Sequence, residues 1–209
     1  MLDNINLLTL VPTLNIQLLL DGIFIGAIFA LAAYGLALVW GVTNVKNLAQ
    51  GEFVIMGGYF TWYLGTFGVH PIVAMPIVIA IMFVFGWVLY ITIIKYVVTR
   101  DLFTSLLATF GIALVIQQAL NLAFGPEVRT ARSDFGTLSF FDGLVTIAEI
   151  KFIAFGLCVV LAAVVVTFMK KSRMGQAIRA TAQNARAARI MGIDTDQVYA
   201  FTFALNSAI

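Results

Sequence analysis

The run from Thr43 to Glu52 sets hydroxyl, amide, ammonium and carboxylate groups between two apolar stretches, through Thr43, Asn44, Lys46, Asn47, Gln50 and Glu52. Groups of this kind suit the recognition and passage of a polar solute. The apolar stretch that follows, Phe53 to Phe67, is short and interrupted by Gly57 and Gly58. A discontinuous helix lining a substrate path has this appearance, because irregular backbone at membrane depth survives only beside protein or a water-filled cavity. An ordinary short cytoplasmic turn with a solvated Lys46 accounts for the same residues.

A second polar pattern lies in Leu102 to Phe124, where Ser105, Thr109, Ala113, Gln117 and Asn121 recur at four-residue spacing. That spacing places them on one inclined ridge of a helix, which should face protein or water. Interhelical hydrogen bonding explains the ridge as well as pore lining does. Other chemistry finds no support. No phosphate-cradling G-x-x-x-x-G-K-[ST], nucleophile elbow or HExxH pair occurs, so neither ATP hydrolysis nor another enzymatic activity is expected, and no cofactor is implied. His70, followed by Pro71, reads as a structural residue at a turn, because a metal site needs several convergent ligands. Cys158 lies in an apolar run and reads as a small packed or lipid-facing residue.

A third polar region is basic. Lys170 to Gln197 carries Lys170, Lys171, Arg173, Arg179, Arg186 and Arg189, half of the 12 Lys and Arg residues, against Asp194 and Asp196. The positive-inside rule places this connector in the cytoplasm. Ala-rich Gln176 to Met191 predicts a helix stopped by Gly192, and its many alanines predict a shallow, close-fitting contact surface without bulky anchors. A helix resting on anionic lipid headgroups is the alternative.

The elements that must position these groups are membrane spans. The chain is 62% hydrophobic and 11% charged, with mean hydropathy +1.03, outside the range of water-soluble globular proteins. A crossing takes ~20 apolar residues. Gly22 to Trp40, Ile72 to Ile94, Leu102 to Phe124 and Phe152 to Met169 approach or meet that length. Counting back from the connector puts Gly125 to Glu149 outside, in keeping with Glu127, Asp134, Asp142 and Glu149 against Arg129 and Arg132. If Phe53 to Phe67 crosses, the N-terminus lies outside; if it re-enters, inside. Ile5 to Leu20, broken by Pro12 and Asn15, reads as an interfacial helix. Asp21 is expected near the interface, Gly22, Gly26 and Ala30 in close helix packing, and Trp40, Trp62 and Tyr63 as interface anchors. Asp194 and Gln197 form a capping-box start for Val198 to Ile209, an apolar run that stops after 12 residues, so the chain is expected to be part of a longer protein. The expected fold is all-α, a polytopic transmembrane helical bundle over residues 1–209 with connector 170–197 inside it. The basic residues read as topology, and no nucleic-acid partner is expected.

Several ordered motifs resemble the permease subunits of branched-chain amino acid ABC importers, a family that includes urea and short-amide permeases. They are Gly35-Leu-Ala-Leu-Val-Trp-Gly-Val, Asn47-Leu-Ala-Gln-Gly-Glu-Phe, Gly57-Gly-Tyr, Ala108-Thr-Phe-Gly, Ser172-Arg-Met-Gly, Ala182-Gln-Asn and Met191-Gly-Ile. The resemblance implies a multi-pass protein of the bacterial inner membrane that works with a second permease, two cytosolic ATP-binding subunits and an extracytoplasmic substrate-binding protein. It places Asn47, Gln50, Gly51 and Glu52 on the family's signature segment. It places Arg179, Ala182, Gln183, Asn184, Arg186, Arg189 and Gly192 on its ATPase-docking element. Gln50 stands where the family often has His, and further spans normally follow the docking element. The implied cargo is a hydrophobic amino acid, with urea or an amide second. An ion-coupled carrier using Asp21, Lys46 and Glu52 is the competing transporter reading, and a non-transporting membrane scaffold the third.

Overall fold

The computed structural model describes residues 12–98, 100–127, 129–130, 136–140 and 145–209. The expectations placed on Ile5 to Val11 and on Arg132, Asp134 and Asp142 lie outside them. The described residues form eight α-helices: α1 Pro12–Thr43, α2 Gln50–Thr66, α3 Pro71–Thr92, α4 Leu102–Phe124, α5 Glu149–Lys171, α6 Arg173–Gln183, α7 Ala185–Ile190 and α8 Thr195–Ala208. Four stretches, Asn15–Thr43, Pro71–Tyr96, Leu102–Phe124 and Glu149–Lys171, are long and apolar enough to cross a membrane. These match the four long runs of the sequence. At 17 residues, α2 is about 25 Å long, short of a ~30 Å hydrocarbon core.

One sequence expectation needs correction. The stretch before Gly22 is continuous with the first span from Pro12 onward. The segment before α5 holds a small antiparallel hairpin, β1 Thr137–Phe140 and β2 Val145–Ala148, with Thr137 opposite Ala148 and Leu138 opposite Ile147. Its strands of four residues are too short to give a periodic signal.

The contacts divide the chain into two compact units. One takes the described residues up to 31 and from 136 to 163. Phe24 and Ile147 are buried there with Leu20 and Phe155 against them, and the Phe24 ring meets Phe152 edge-on at 4.8 Å. Asp21 is held by Lys151 at 2.7 Å, so the carboxylate expected at an interface has a paired cation. Among the described residues Gly22 and Gly26 meet nothing within 4 Å of an added Cβ, so no close helix packing is seen there.

The other unit takes the described residues of 32–130 and 164–209. Its core joins Val39, Phe53, Met56, Met82, Tyr90, Ile112, Ile116 and Phe203. The close approach expected of small residues occurs at Gly86 of α3, where an added Cβ would overlap Ser207 and stand 3.0 Å from the Ala204 Cα of α8. Ser207 Oγ donates to the Met82 carbonyl at 2.9 Å, a hydrogen bond the absent Cβ leaves room for. His70 caps α3 by accepting from Ile72 N at 3.4 Å, the structural role expected of it. Asp101 caps α4 through Thr104 N and Oγ1, which holds its carboxyl below the ordinary carboxylate range. Trp62 and Tyr63 surround Phe124, and Arg129 stacks over Trp62 at 5.0 Å. Trp40 lies beneath Lys46 at 5.1 Å. Aromatic and cationic groups thus collect at helix ends, as interface anchors do.

Candidate functional site

The six residues between α1 and α2 are a real break in helix. Thr43 Oγ1 donates to the Val39 carbonyl at 2.8 Å and accepts from Val45 N at 3.2 Å, turning its own helix end into a stop. Asn44 then takes the left-handed conformation, φ 56°, which Asn tolerates better than most residues. Val45, Asn47 and Ala49 are buried while Asn44, Lys46 and Leu48 are exposed. Asn47 is 3% exposed and accepts from Ala49 N at 3.1 Å at the start of α2. The Lys46 carbonyl accepts from Thr109 Oγ1 of α4 at 3.1 Å. Lys46 is exposed as a plain turn would have it, yet the break around it is tied down on both sides.

Gln50, in the first turn of α2, collects amides. Its Oε1 accepts from Asn206 Nδ2 at 2.7 Å and, at 3.5 Å, from Asn47 Nδ2. Asn206 is 1% exposed, and its Oδ1 is buried without a hydrogen-bond partner among the described residues, facing the bare Cα of Gly35. Gly51 is exposed and Glu52 half-buried. The expected polar ridge divides: Ser105 and Thr109 are buried, Ala113 is half-buried, and Gln117 and Asn121 are exposed. The buried stripe of α4 continues instead through Ile112, Ile116 and Leu120, since 3.6 residues per turn carry a strict four-residue row off the contact face.

The basic connector is two helices, not the single one expected over Gln176 to Met191. Asn184 ends α6 in extended backbone and accepts from Ala187 N at 3.0 Å to cap α7. Ser172 caps α6 through Gly175 N, and Gly192, at φ +85°, turns the chain out of α7 as predicted. Gly175, Ile178, Thr181 and Ala188 point inward, and Ile178 packs with Val42, Val165, Met169 and Val198. Arg179, Ala182, Gln183, Asn184, Arg186, Arg189 and Gly192 are all exposed. So are Ile190 and Met191, each 81% exposed, and they correct the expectation of a surface without bulky anchors. The Arg189 guanidinium also donates to Thr195 Oγ1 at 2.7 Å, joining α7 to α8.

The break and the connector line one cavity of about 340 Å³, with Thr43 and Asn44 from the first, Thr181, Gln183 and Arg189 from the second, and Lys95 beside them. Lys95 pairs with Asp196 at 3.4 Å. Thr181 Oγ1 is buried there without a partner among the described residues. Neither Thr181 nor Asn206 is marked by a motif or a spacing. An amide set alone in the apolar run Val198 to Ile209 was the available signal, because hydrocarbon does not solvate it.

A chain of long apolar helices, interrupted by a tied-down polar break and carrying an exposed basic connector, is a multi-pass membrane protein of transporter type. Residues 18–209 match the family described as the branched-chain amino acid transport system permease component, and the chain belongs to that family. It is similar to the high-affinity branched-chain amino acid transport system permease protein LivH of Salmonella typhimurium, 26% identical over 93% of this chain and 67% of that protein. The probable branched-chain amino acid transport permease protein LivH of Methanocaldococcus jannaschii is 28% identical over 96% of this chain and 65% of that one. BraD of Pseudomonas aeruginosa, a high-affinity branched-chain amino acid transport system permease protein, is 23% identical over 93% of this chain. The chain thus spans about two thirds of the length of these relatives. No solved structure matches it.

Proposed function

We propose that this chain supplies the membrane path of an ATP-driven importer for branched-chain or other hydrophobic amino acids. In this reading it sits in the bacterial inner membrane with a second permease, two cytosolic ATP-binding subunits and an extracytoplasmic binding protein. Asn47, Gln50, Gly51 and Glu52 belong to the translocation segment, together with the pore-facing candidates Ser105, Thr109, Gln117 and Asn121. Connector 170–197 is the docking element, and one observation supports this above the others. Its inner face is buried against α8 and the start of the break, while Arg179, Gln183, Arg186, Ile190 and Met191 stand outward, exposed among the described residues. An outward face mixing arginine with large apolar side chains has the composition of a protein contact rather than of a solvated loop.

Reconstitution of the full-length permease with its ATP-binding subunits and binding protein tests the reading. Leucine uptake should require ATP and the ATPase and survive a protonophore. Uptake that persists without the ATPase and collapses with the protonophore sinks it in favour of an ion-coupled carrier. Urea uptake without leucine uptake moves the cargo to the amides.

A further inference from the structure

We propose that Gln50 and Asn206 form a clasp through which movement of the connector reaches the break. The inference rests on the importer reading above.

The connector and α8 are built to move together. Arg189 grips Thr195, Asp194 caps α8 by accepting from the N–H groups of Asp196 and Gln197, and Ile178 of α6 shares an apolar cluster with Val198 of α8. A load applied to α6 and α7 is therefore carried into α8. From Thr195 to Asn206, α8 runs about 16 Å, at 1.5 Å per residue. At that far end its polar link to the break is the 2.7 Å bond from Asn206 to Gln50. Gln50 in turn holds Asn47, whose side-chain Oδ1 accepts from the N–H of Ala49, the residue just before α2. Rotating or withdrawing α8 pulls on one side-chain oxygen that two amides share.

The clasp is also incompletely satisfied. Asn206 Oδ1 is buried with no donor among the described residues, pressed towards Gly35, where a Cβ would stand 2.7 Å away. A buried acceptor without a donor raises the energy of the arrangement that holds it, so a shifted arrangement that supplies one competes with it. Communication between sites requires such an element with two arrangements. Gln50 and Asn206 are accordingly positioning residues, acting on the solute through the break.

The test uses the full-length permease assembled with its ATP-binding subunits and binding protein in proteoliposomes. Radiolabelled leucine imported and phosphate released are measured together, and their ratio is the readout. In Gln50→Ala and in Asn206→Ala the leucine moved per ATP should fall about tenfold, within the usual range for coupling between separate sites. The double variant should be no worse than either single one. A merely structural role lowers uptake and hydrolysis together and leaves the ratio unchanged; that result, or losses that multiply in the double variant, overturns the clasp. Gly35→Ala keeps every polar group and displaces Asn206, so it should reproduce the lowered ratio; it decides the matter if the Asn206 variant does not assemble, and an unchanged ratio there overturns the clasp. Wild-type uptake that needs no ATP overturns the importer reading and the clasp together, whereas ATP-dependent wild-type uptake with unaltered variants overturns the clasp alone.

Discussion

The break at 44–49 and the connector at 172–194 are both polar interruptions in an apolar chain, and they treat their polar groups in opposite ways. The break leaves the Asn44 and Lys46 side chains exposed but turns others inward: Thr43, Asn47 and the Lys46 carbonyl each have a partner in the chain. The connector buries Gly175, Ile178, Thr181 and Ala188 and leaves its arginines, Gln183, Ile190 and Met191 outside. Inward groups that find partners within one chain shape that chain. Outward groups with an apolar admixture are what the proposed docking role of the connector draws on.

The contrast can be broken hardest at the seat of α8. Gly86→Leu forces a side chain into the backbone of Ala204 and the side chain of Ser207. It should prevent accumulation of folded permease altogether, seen as loss of the monodisperse peak in detergent. Asn47→Leu comes next. It removes the acceptor of the Ala49 N–H and leaves buried partners unsatisfied, at a cost of ~1–3 kcal/mol per group, and should lower Tm and uptake together. Changes on the connector should separate those readouts. Arg186→Glu is expected to weaken association with the ATP-binding subunits about tenfold, or ~1.4 kcal/mol, with Tm unmoved. Unchanged co-purification removes Arg186 from the contact. Arg189→Glu is a less clean probe, because its guanidinium also holds Thr195. Glu52→Gln should lower uptake while insertion stays normal, and wild-type uptake would take Glu52 out of the mechanism. The smallest effect is expected from Asp196→Asn, since its pairing with Lys95 is half exposed and such pairs contribute ~0–1 kcal/mol.

Much of this was legible in the residues. Length and hydropathy locate four spans because lipid demands about twenty apolar residues wherever the backbone crosses it. Helix ends were readable where a side chain does the work: Asp194 begins α8, and Gly192 ends the connector, as written in the sequence. The break was visible as a polar cluster beside a shortened run. What escaped was long-range. Asn206 lies 156 residues from Gln50, and no periodicity reports that they meet. The split at Asn184 was hidden by high helix propensity on both sides, which a single side-chain cap outweighs. Gln117 and Asn121 share a row with Ser105 and Thr109 but not a contact face, because spacing alone does not say which neighbour a helix has.

The length of α1 has a mechanical corollary. Its 32 residues measure about 48 Å, and even at a steep tilt of ~40° they rise ~37 Å, against a hydrocarbon layer of ~30 Å. More than one turn must therefore stand among the headgroups, at the Pro12 end, the Thr43 end or shared between them. The depth of the Thr43 terminus is thereby geared to the surplus at Pro12, which makes acyl-chain length a control on how far the backbone break after Thr43 lies from the aqueous phase.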